Sequence, residues 1–325
     1  MNELKVRLKK IKSLKNKVDE VLLFNNDPNL FYFTNNDAGI FLYDFSSPRL
    51  VATRFDLTQV KKSWIRNIPI IDAKTQKQML HEILKLTHGT VGINKKSISA
   101  ILYEKIKGKI KTRDISDELE EIRMIKSQYE IACIRKACRI NRRVFDEIEL
   151  RKGITENEVA GIAEIAARKM GSRVEINVAF GKNTAEPHHK PTDKKLSKKE
   201  PAWIDICCCY KGYYSDVTRS FNHPLQGKLA RIISELEIRP GIKASSLEKA
   251  VRKQLGKDEK YFTHSLGHGI GISIHERPWI STNSKDVLKP NMVFTIEPGI
   301  YNKNGVRVEN DFLLTKSGCK ILTDF

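Results

Sequence analysis

The chain has 325 residues, 40% of them hydrophobic, and 58 Lys and Arg against 39 Asp and Glu give a formal charge of +19. That length points to two domains, and no run of about 18 apolar residues is present to span a bilayer as a helix. The opening Met1-Asn2-Glu3-Leu4-Lys5 lacks the apolar stretch of a secretory signal, so a cytoplasmic protein is expected; the basic residues are spread over both halves, which predicts general attraction of anions and no specific nucleic-acid partner.

In chain order, Leu4, Leu8, Ile11, Leu14 and Val18 recur at helical spacing, so residues 1–18 read as an amphipathic helix. Without aromatic anchors that helix is expected to pack on its own domain and not on a membrane. Val21-Leu22-Leu23-Phe24 is a predicted strand and Asn25-Asn26-Asp27-Pro28 a turn. Leu30 to Phe33, Ile40 to Tyr43, and Leu50 to Ala52 read as further strands, Gln76 to Leu86 as a helix, Val91 to Ile93 as a strand and Ile98 to Ile106 as a helix. This first part is expected to be an α/β domain of residues 1–118, with no dense polar constellation.

From Leu119 a helical pattern runs to about Leu150, and Thr155-Glu156-Asn157-Glu158 resembles a capping box opening a helix to Met170. Val174 to Phe180 is a predicted strand. Trp203 to Phe221 then reads as a β-hairpin with a Lys211-Gly212 turn signal, and each of its strands carries one aspartate. Asp205 and Asp216 are eleven residues apart, which sets them opposite or diagonal across the ladder, within about 8 Å. Two carboxylates that close in an apolar sheet need compensation, for which a divalent metal is the most economical answer; the alternative on this stretch alone is a pair of surface aspartates at strand ends. Helices follow over Gly227 to Leu236 and Ser246 to Leu255.

The stretch Phe262 to Glu276 holds three of the eight histidines, His264, His268 and His275, among glycines that permit close backbone approach. Phe294 to Tyr301 reads as a strand and Val306 to Asn310 as its return, around an Asn302-Lys303-Asn304-Gly305 turn. Glu297 and Glu309 sit among apolar β-formers and are expected to face inward; Arg307 shares a face with Glu309. A donor set of carboxylates and imidazole, without sulfur, suits Mn²⁺, Co²⁺, Fe²⁺ or Zn²⁺ in a two-metal site. Cys207, Cys208 and Cys209 are consecutive, and neighbours on a strand point to opposite faces, so the trio is not expected to act as one ligand cluster; all six cysteines are expected to be small buried hydrophobes of a reducing compartment.

Asp205, Asp216, His268, Glu297 and Glu309, in the blocks IDICCCYKGYYSDVTRSF, SLGHGIGISIHE, TIEPGIY and VRVEND, resemble the pita-bread metallopeptidases, and VLLFNNDPNLFYFT resembles the creatinase-type N-terminal domain of prolidase and aminopeptidase P. The resemblance covers nearly the whole chain. It implies an α+β fold: a pita-bread catalytic domain over 119–325, a curved antiparallel sheet with helices on its outer face, behind the smaller creatinase-type domain. It implies two divalent ions, Mn²⁺ or Co²⁺ favoured with Zn²⁺ or Fe²⁺ as alternatives. Asp216 and Glu309 would bridge them, Asp205 complete one shell, and His268 with Glu297 the other.

The same resemblance gives His188 to substrate or tetrahedral-intermediate contact, His264 and His275 to the substrate pocket, and Arg307 to the proline end of the substrate. His189 receives no role. A hydroxide held between the ions would attack the scissile carbonyl, with Glu297 passing the proton. The implied activity is hydrolysis of the Xaa-Pro bond of dipeptides by a homodimer. Alternatives are aminopeptidase P, methionine aminopeptidase, against which the first domain argues, and a pseudo-peptidase binding nucleic acid or protein, against which the five intact ligands argue. The chain departs from the family pattern in a short segment between Ser220 and Arg239, an early end at Phe325, and the Cys207-Cys208-Cys209 run.

Overall fold

The computed structural model describes residues 3–65 and 67–325, and no helix among them is long and apolar enough to cross a membrane. The chain divides into two units, one up to Ile122 and one of Arg123–Phe325.

In the first unit the elements run α1 (Glu3–Ile11), β1 (Glu20–Leu23), α2 (Pro28–Thr34), β2 (Ile40–Tyr43), β3 (Pro48–Thr53), α3 (Leu57–Lys62), β4 (Ile70–Ala73), α4 (Gln76–Leu86), β5 (Thr90–Ile93), α5 (Ala100–Ile106), β6 (Lys111–Asp114) and α6 (Ser116–Met124). The six strands form one mixed sheet in the order β4-β3-β2-β1-β5-β6. Met79 and Ile83 of α4 and Ile106 of α5 bury against Leu22, Leu42, Val51 and Val91. The stretch expected as a strand at Leu30 to Phe33 is instead helix α2. Its neighbours decide this: Asp27 caps the helix by accepting from the Asn29 amide, Pro28 fills the first turn, and Asn35 closes it at φ 54°. The amphipathic helix at the start ends at Ile11 and passes into a 3₁₀ turn over Lys12–Leu14.

The division between units falls inside α6, four residues after the expected 118/119 boundary. The second unit continues with α7 (Gln128–Asp146), α8 (Glu156–Lys169), β7 (Arg173–Phe180), β8 (Ala202–Tyr210), β9 (Tyr213–Phe221), α9 (Gln226–Ser234), α10 (Ala244–Leu255), β10 (Gly267–Gly269), β11 (Glu276–Ile280), β12 (Val293–Ile296), β13 (Gly299–Tyr301), β14 (Gly305–Arg307), β15 (Asn310–Thr315) and β16 (Gly318–Ile321). The helix expected as continuous from Leu119 breaks before Ser127. There Ser127 and Glu130 form a reciprocal capping box that restarts the helix as α7, and the buried Lys126 donates to Glu276 Oε1 at 2.6 Å.

Two antiparallel sheets, β7-β8-β9 and β11-β10-β12-β15-β16, and the β13–β14 hairpin make up this unit. The period of two along each strand divides their faces. In β8, Ala202, Ile204, Ile206 and Cys208 enter one core with Ile140 and Val144 of α7 and Val159 and Ala163 of α8. In β12 and β15, Phe294, Ile296, Phe312 and Leu314 enter another with Leu229 and Ile233 of α9 and Leu247 and Val251 of α10. The alternate residues, Trp203, Asp205 and Cys207 in β8 and Thr295 in β12, are left for the opposite face, where the polar constellation lies.

Candidate metal centre

Each acidic side chain is placed by a specific feature of the backbone. The β8–β9 turn consists of Lys211 at φ 50° and Gly212 at φ 82°, the left-handed pair of a tight hairpin. This turn pairs Asp205 with Thr218 and Asp216 with Cys207, so the two aspartates are diagonal neighbours on one face. Glu297 and Glu309 lie outside the strands expected to hold them. Each predicted strand is interrupted, by Glu297-Pro298 between β12 and β13 and by Val308-Glu309 between β14 and β15. Ile296 pairs with Asn310 and Gly299 with Arg307, so the two interruptions face each other. The freed amides find other partners: Glu297 N donates to Leu266 O at 2.8 Å and Glu309 N to Thr218 O at 3.2 Å. Both glutamates are thereby brought beside β9 and β10. Because Glu309 lies beyond the end of β14, the shared strand face expected for it and Arg307 is not one the ladder defines.

His268 arrives on β10, which is pressed tightly between its neighbours. A Cβ on Gly267 would stand 2.1 Å from Thr295 O, and one on Gly269 would stand 2.3 Å from Arg277 O. The His268 ring sets Nδ1 3.1 Å from Gly269 O, which assigns the proton to Nδ1 and leaves the Nε2 lone pair free. Nε2 faces Glu297 Oε1 at 3.3 Å and Asp216 Oδ2 at 3.9 Å. Burial holds the imidazole below its ordinary pKa, so it is a neutral nitrogen donor.

Donor atoms of Asp205, Cys207 and Asp216 lie within 4.8 Å of one another, as do those of His268, Glu297 and Glu309, and those of Asp216, His268 and His275. Carboxylates this close resist ionisation. Burial, then the charges of Glu309 and Asp205, raise Asp216 well above the usual carboxylate range. Burial pushes Glu297 up to about 8, against the opposing charge of Arg307. Glu309 likewise reaches about 8, through burial and then the charges of Glu297 and Asp205. Asp205 Oδ2 accepts from Arg307 Nη2 at 2.7 Å, while its shielded Oδ1 has no hydrogen-bond partner. Crowded carboxylates, a neutral imidazole and an orphaned carboxylate oxygen together fit divalent cations.

Around this cluster runs a directed hydrogen-bond chain. Arg307 Nη1 donates to Tyr301 OH at 2.9 Å, the Tyr301 hydroxyl donates to His264 Nε2 at 3.0 Å, and His264 Nδ1 donates to Ser265 O at 2.8 Å. Burial, then the charge of Arg307, drives His264 down to about 3, so it stays neutral. The same guanidinium donates Nε to Thr218 Oγ1 and Nη1 to Pro187 O, and it lies over the Trp203 ring. Four of the five guanidinium N–H groups are thus committed inside the protein.

His275 is open to solvent on one side, but its ring lies 4.3 Å from that of His268, and withdrawal of the ring from water, followed by the neighbouring imidazole, lowers it to about 4. His188 is exposed and lies within electrostatic reach of both His264 and His275. His189, left without a role by the sequence, is a buried strut that meets Glu156 Oε2 and Glu186 Oε2, each at 3.0 Å. Every site residue expected from the sequence therefore falls in or beside one cluster.

Residues 132–316 match Metallopeptidase family M24 and residues 7–125 match the Creatinase/Prolidase N-terminal domain. The chain belongs to metallopeptidase family M24. As an M24 chain it is similar to the Xaa-Pro dipeptidase of Pyrococcus furiosus, with 32% identity and 98% of each chain covered. Among solved structures it resembles the Xaa-Pro dipeptidase from Bacillus anthracis, with a TM-score of 0.88, 26% identity, and 99% of this chain and 98% of that one covered. It also resembles the X-Pro aminopeptidase from Thermotoga maritima, with a TM-score of 0.86, 28% identity and 98% of each chain covered. The fold is accordingly the creatinase-type domain followed by the pita-bread domain.

Sequence reasoning missed four participants in this M24 site. Tyr301 links Arg307 to His264, and Thr218 donates to Glu309 Oε2 at 2.6 Å. The fully buried Asp311 accepts the Asp216 amide at 3.1 Å. Cys207, expected as a plain buried hydrophobe, stands with Sγ 3.0 Å from Asp216 Oδ1. For Cys207 the signal was present, since residues two apart on a strand share a face. Nothing in the sequence pairs Tyr301 with His264.

Proposed function

We propose that this metallopeptidase hydrolyses the Xaa-Pro bond of dipeptides, with two divalent ions held by Asp205, Asp216, His268, Glu297 and Glu309. The observation that carries the reading is the convergence of four carboxylates and one neutral imidazole nitrogen, with Asp205 Oδ1 shielded and unpartnered. The full-length likeness to the Pyrococcus furiosus Xaa-Pro dipeptidase supports the substrate class. Mn²⁺ or Co²⁺ are the favoured ions, and a homodimer in the cytoplasm is the proposed setting.

Divalent ions held by Asp205, Asp216, His268, Glu297 and Glu309 would lower the pKa of a water and polarise the scissile carbonyl. The chain's own groups do the rest. Arg307 fixes one oxygen of Asp205 and, through Tyr301, the His264 ring. Glu297 would hold a proton on its carboxylate and pass it to the prolyl nitrogen as that nitrogen leaves. An Xaa-Pro bond has no amide N–H, so the site needs no acceptor for one. His188 and His275, both exposed, would contact the substrate, while His264, with both ring nitrogens engaged, would line its pocket.

The test is a peptide panel with metal-depleted protein resupplied with Mn²⁺ or Co²⁺. Cleavage of Xaa-Pro dipeptides is expected. Cleavage of Xaa-Pro-Yaa tripeptides alone would reassign the chain as an aminopeptidase, release of Met from Met-Ala peptides would favour the third activity, and no cleavage would overturn the proposal.

A further inference from the structure

The sulfur of Cys207 is the part of the cluster that the carboxylate-and-imidazole scheme leaves unused. Ile206 and Cys208 face the helical core, which turns Asp205 and Cys207 together toward the acidic face. Cys207 is directly opposite Asp216 in the ladder and its Sγ touches Asp216 Oδ1 at 3.0 Å. Its sulfur and one oxygen from each of Asp205 and Asp216 form a mutually adjacent triad within 4.8 Å. Arg307 occupies Asp205 Oδ2, so the shielded Oδ1 is the oxygen left over. Cys207 is itself half-buried, whereas Cys208 is fully buried in the helical core.

We propose that Cys207 supplies a sulfur donor to the cation held by Asp205 and Asp216, and so biases the centre toward thiophilic ions. Thiolate is a soft ligand that selects Zn²⁺ and other thiophilic ions, whereas carboxylate and water oxygens are the donors that suit Mn²⁺. On coordination the S–H proton leaves to bulk water and the sulfur lone pair is shared with the ion; no oxidation state changes. The inference rests on the dinuclear reading above and narrows its choice of ion away from Mn²⁺.

The experiment is a Co²⁺ titration of the metal-depleted full chain followed by absorption spectroscopy. Wild type is expected to show a near-ultraviolet sulfur-to-cobalt charge-transfer band beside the weaker visible d–d bands. Cys207→Ser and Cys207→Ala should keep the d–d bands and lose the charge-transfer band, and Cys319→Ser should keep both. By calorimetry, Cys207→Ser should weaken Zn²⁺ binding on the order of tenfold while leaving Mn²⁺ within about twofold. Circular dichroism confirms that each variant is folded, and the wild-type spectrum decides the matter if one is not. Cobalt bound by wild type without the charge-transfer band overturns the sulfur ligand and leaves the dinuclear centre standing. Full retention of Zn²⁺ affinity in Cys207→Ser also overturns it, since serine keeps only the hydrogen bond to Asp216. Failure of wild type to bind cobalt at all overturns both readings together.

Discussion

Stripping the metal should make the catalytic unit sensitive to alkali. In the metal-free fold Glu297 and Glu309 hold their protons up to about 8, against 4.5 for the free side chain. Between those values the folded chain binds more protons than the unfolded one, so stability present at low pH is lost as pH rises. His264 and His275, depressed to about 3 and about 4 from 6.5, act with the opposite sign and add stability as pH rises toward 6.5. Above pH 6.5 the histidine gain is complete and only losses remain, from the two glutamates and, in the same sense, from Asp216 and His189, whose folded-state affinities for a proton are raised as well. Each glutamate loses about 1.4 kcal/mol per pH unit, roughly 2 kcal/mol across the window from pH 6.5 to 8 and on the order of 4 kcal/mol for the pair. For a unit the size of Arg123–Phe325 that lowers the melting temperature by roughly 8–16 °C. The assay is thermal melting by circular dichroism in chelator at several pH values, repeated with saturating divalent ion. Bound cations replace the protons, so the fall should vanish or reverse in the loaded protein. A metal-free melting temperature that is flat or rising across the window refutes the reasoning.

Glu297→Gln should lower Xaa-Pro hydrolysis by about 10²–10⁴-fold while raising the metal-free melting temperature at pH 8, because a carboxyl that resists ionisation is removed; a variant that melts with wild type denies the burial argument. Arg307→Lys keeps the charge but cannot serve Asp205, Tyr301, Pro187 and Thr218 together, so it should cost about 1.5–3 kcal/mol in urea unfolding and weaken ion binding. An unchanged urea midpoint counts against its role as a positioning residue. Gly267→Ala places a methyl 2.1 Å from Thr295 O, so β10 must move; a loss of about 1–3 kcal/mol and of metal stoichiometry is expected, read by melting and metal analysis.

The strongest parts of the centre were visible in the sequence because they follow from chain periodicity. A two-residue turn at Tyr210-Lys211 or at Lys211-Gly212 sets Asp205 and Asp216 on one face, and the β8–β9 ladder takes the second of these. The helices at Gln76–Leu86 and Glu156–Lys169 carried their own caps, Thr75 and Thr155. Failures came where a cap or a break outweighed propensity. The aromatic run of α2 has the composition of a strand, but Asp27-Pro28 and Asn35 enclose it as a helix. Lys126-Ser127 interrupts a helical pattern that hydrophobic spacing alone runs straight through. Glu297 and Glu309 were expected to face inward as strand residues, yet they do so from gaps between strands, which only the pairing of four different β-segments creates. Tyr301 and Asp311 act through partners 37 and 95 residues away in the chain, beyond any local pattern.

The diagonal placement of Asp205 and Asp216 has a mechanical consequence. Their separation is a dimension of the pleated ladder, set by nine consecutive cross-strand pairs from Ala202–Phe221 to Tyr210–Tyr213. A backbone template of this kind works as a ruler: it holds its spacing while the loops that shape the substrate end drift, lengthen or shrink. Peptide preference can therefore be retuned at the rim without recalibrating the distance on which the chemistry depends.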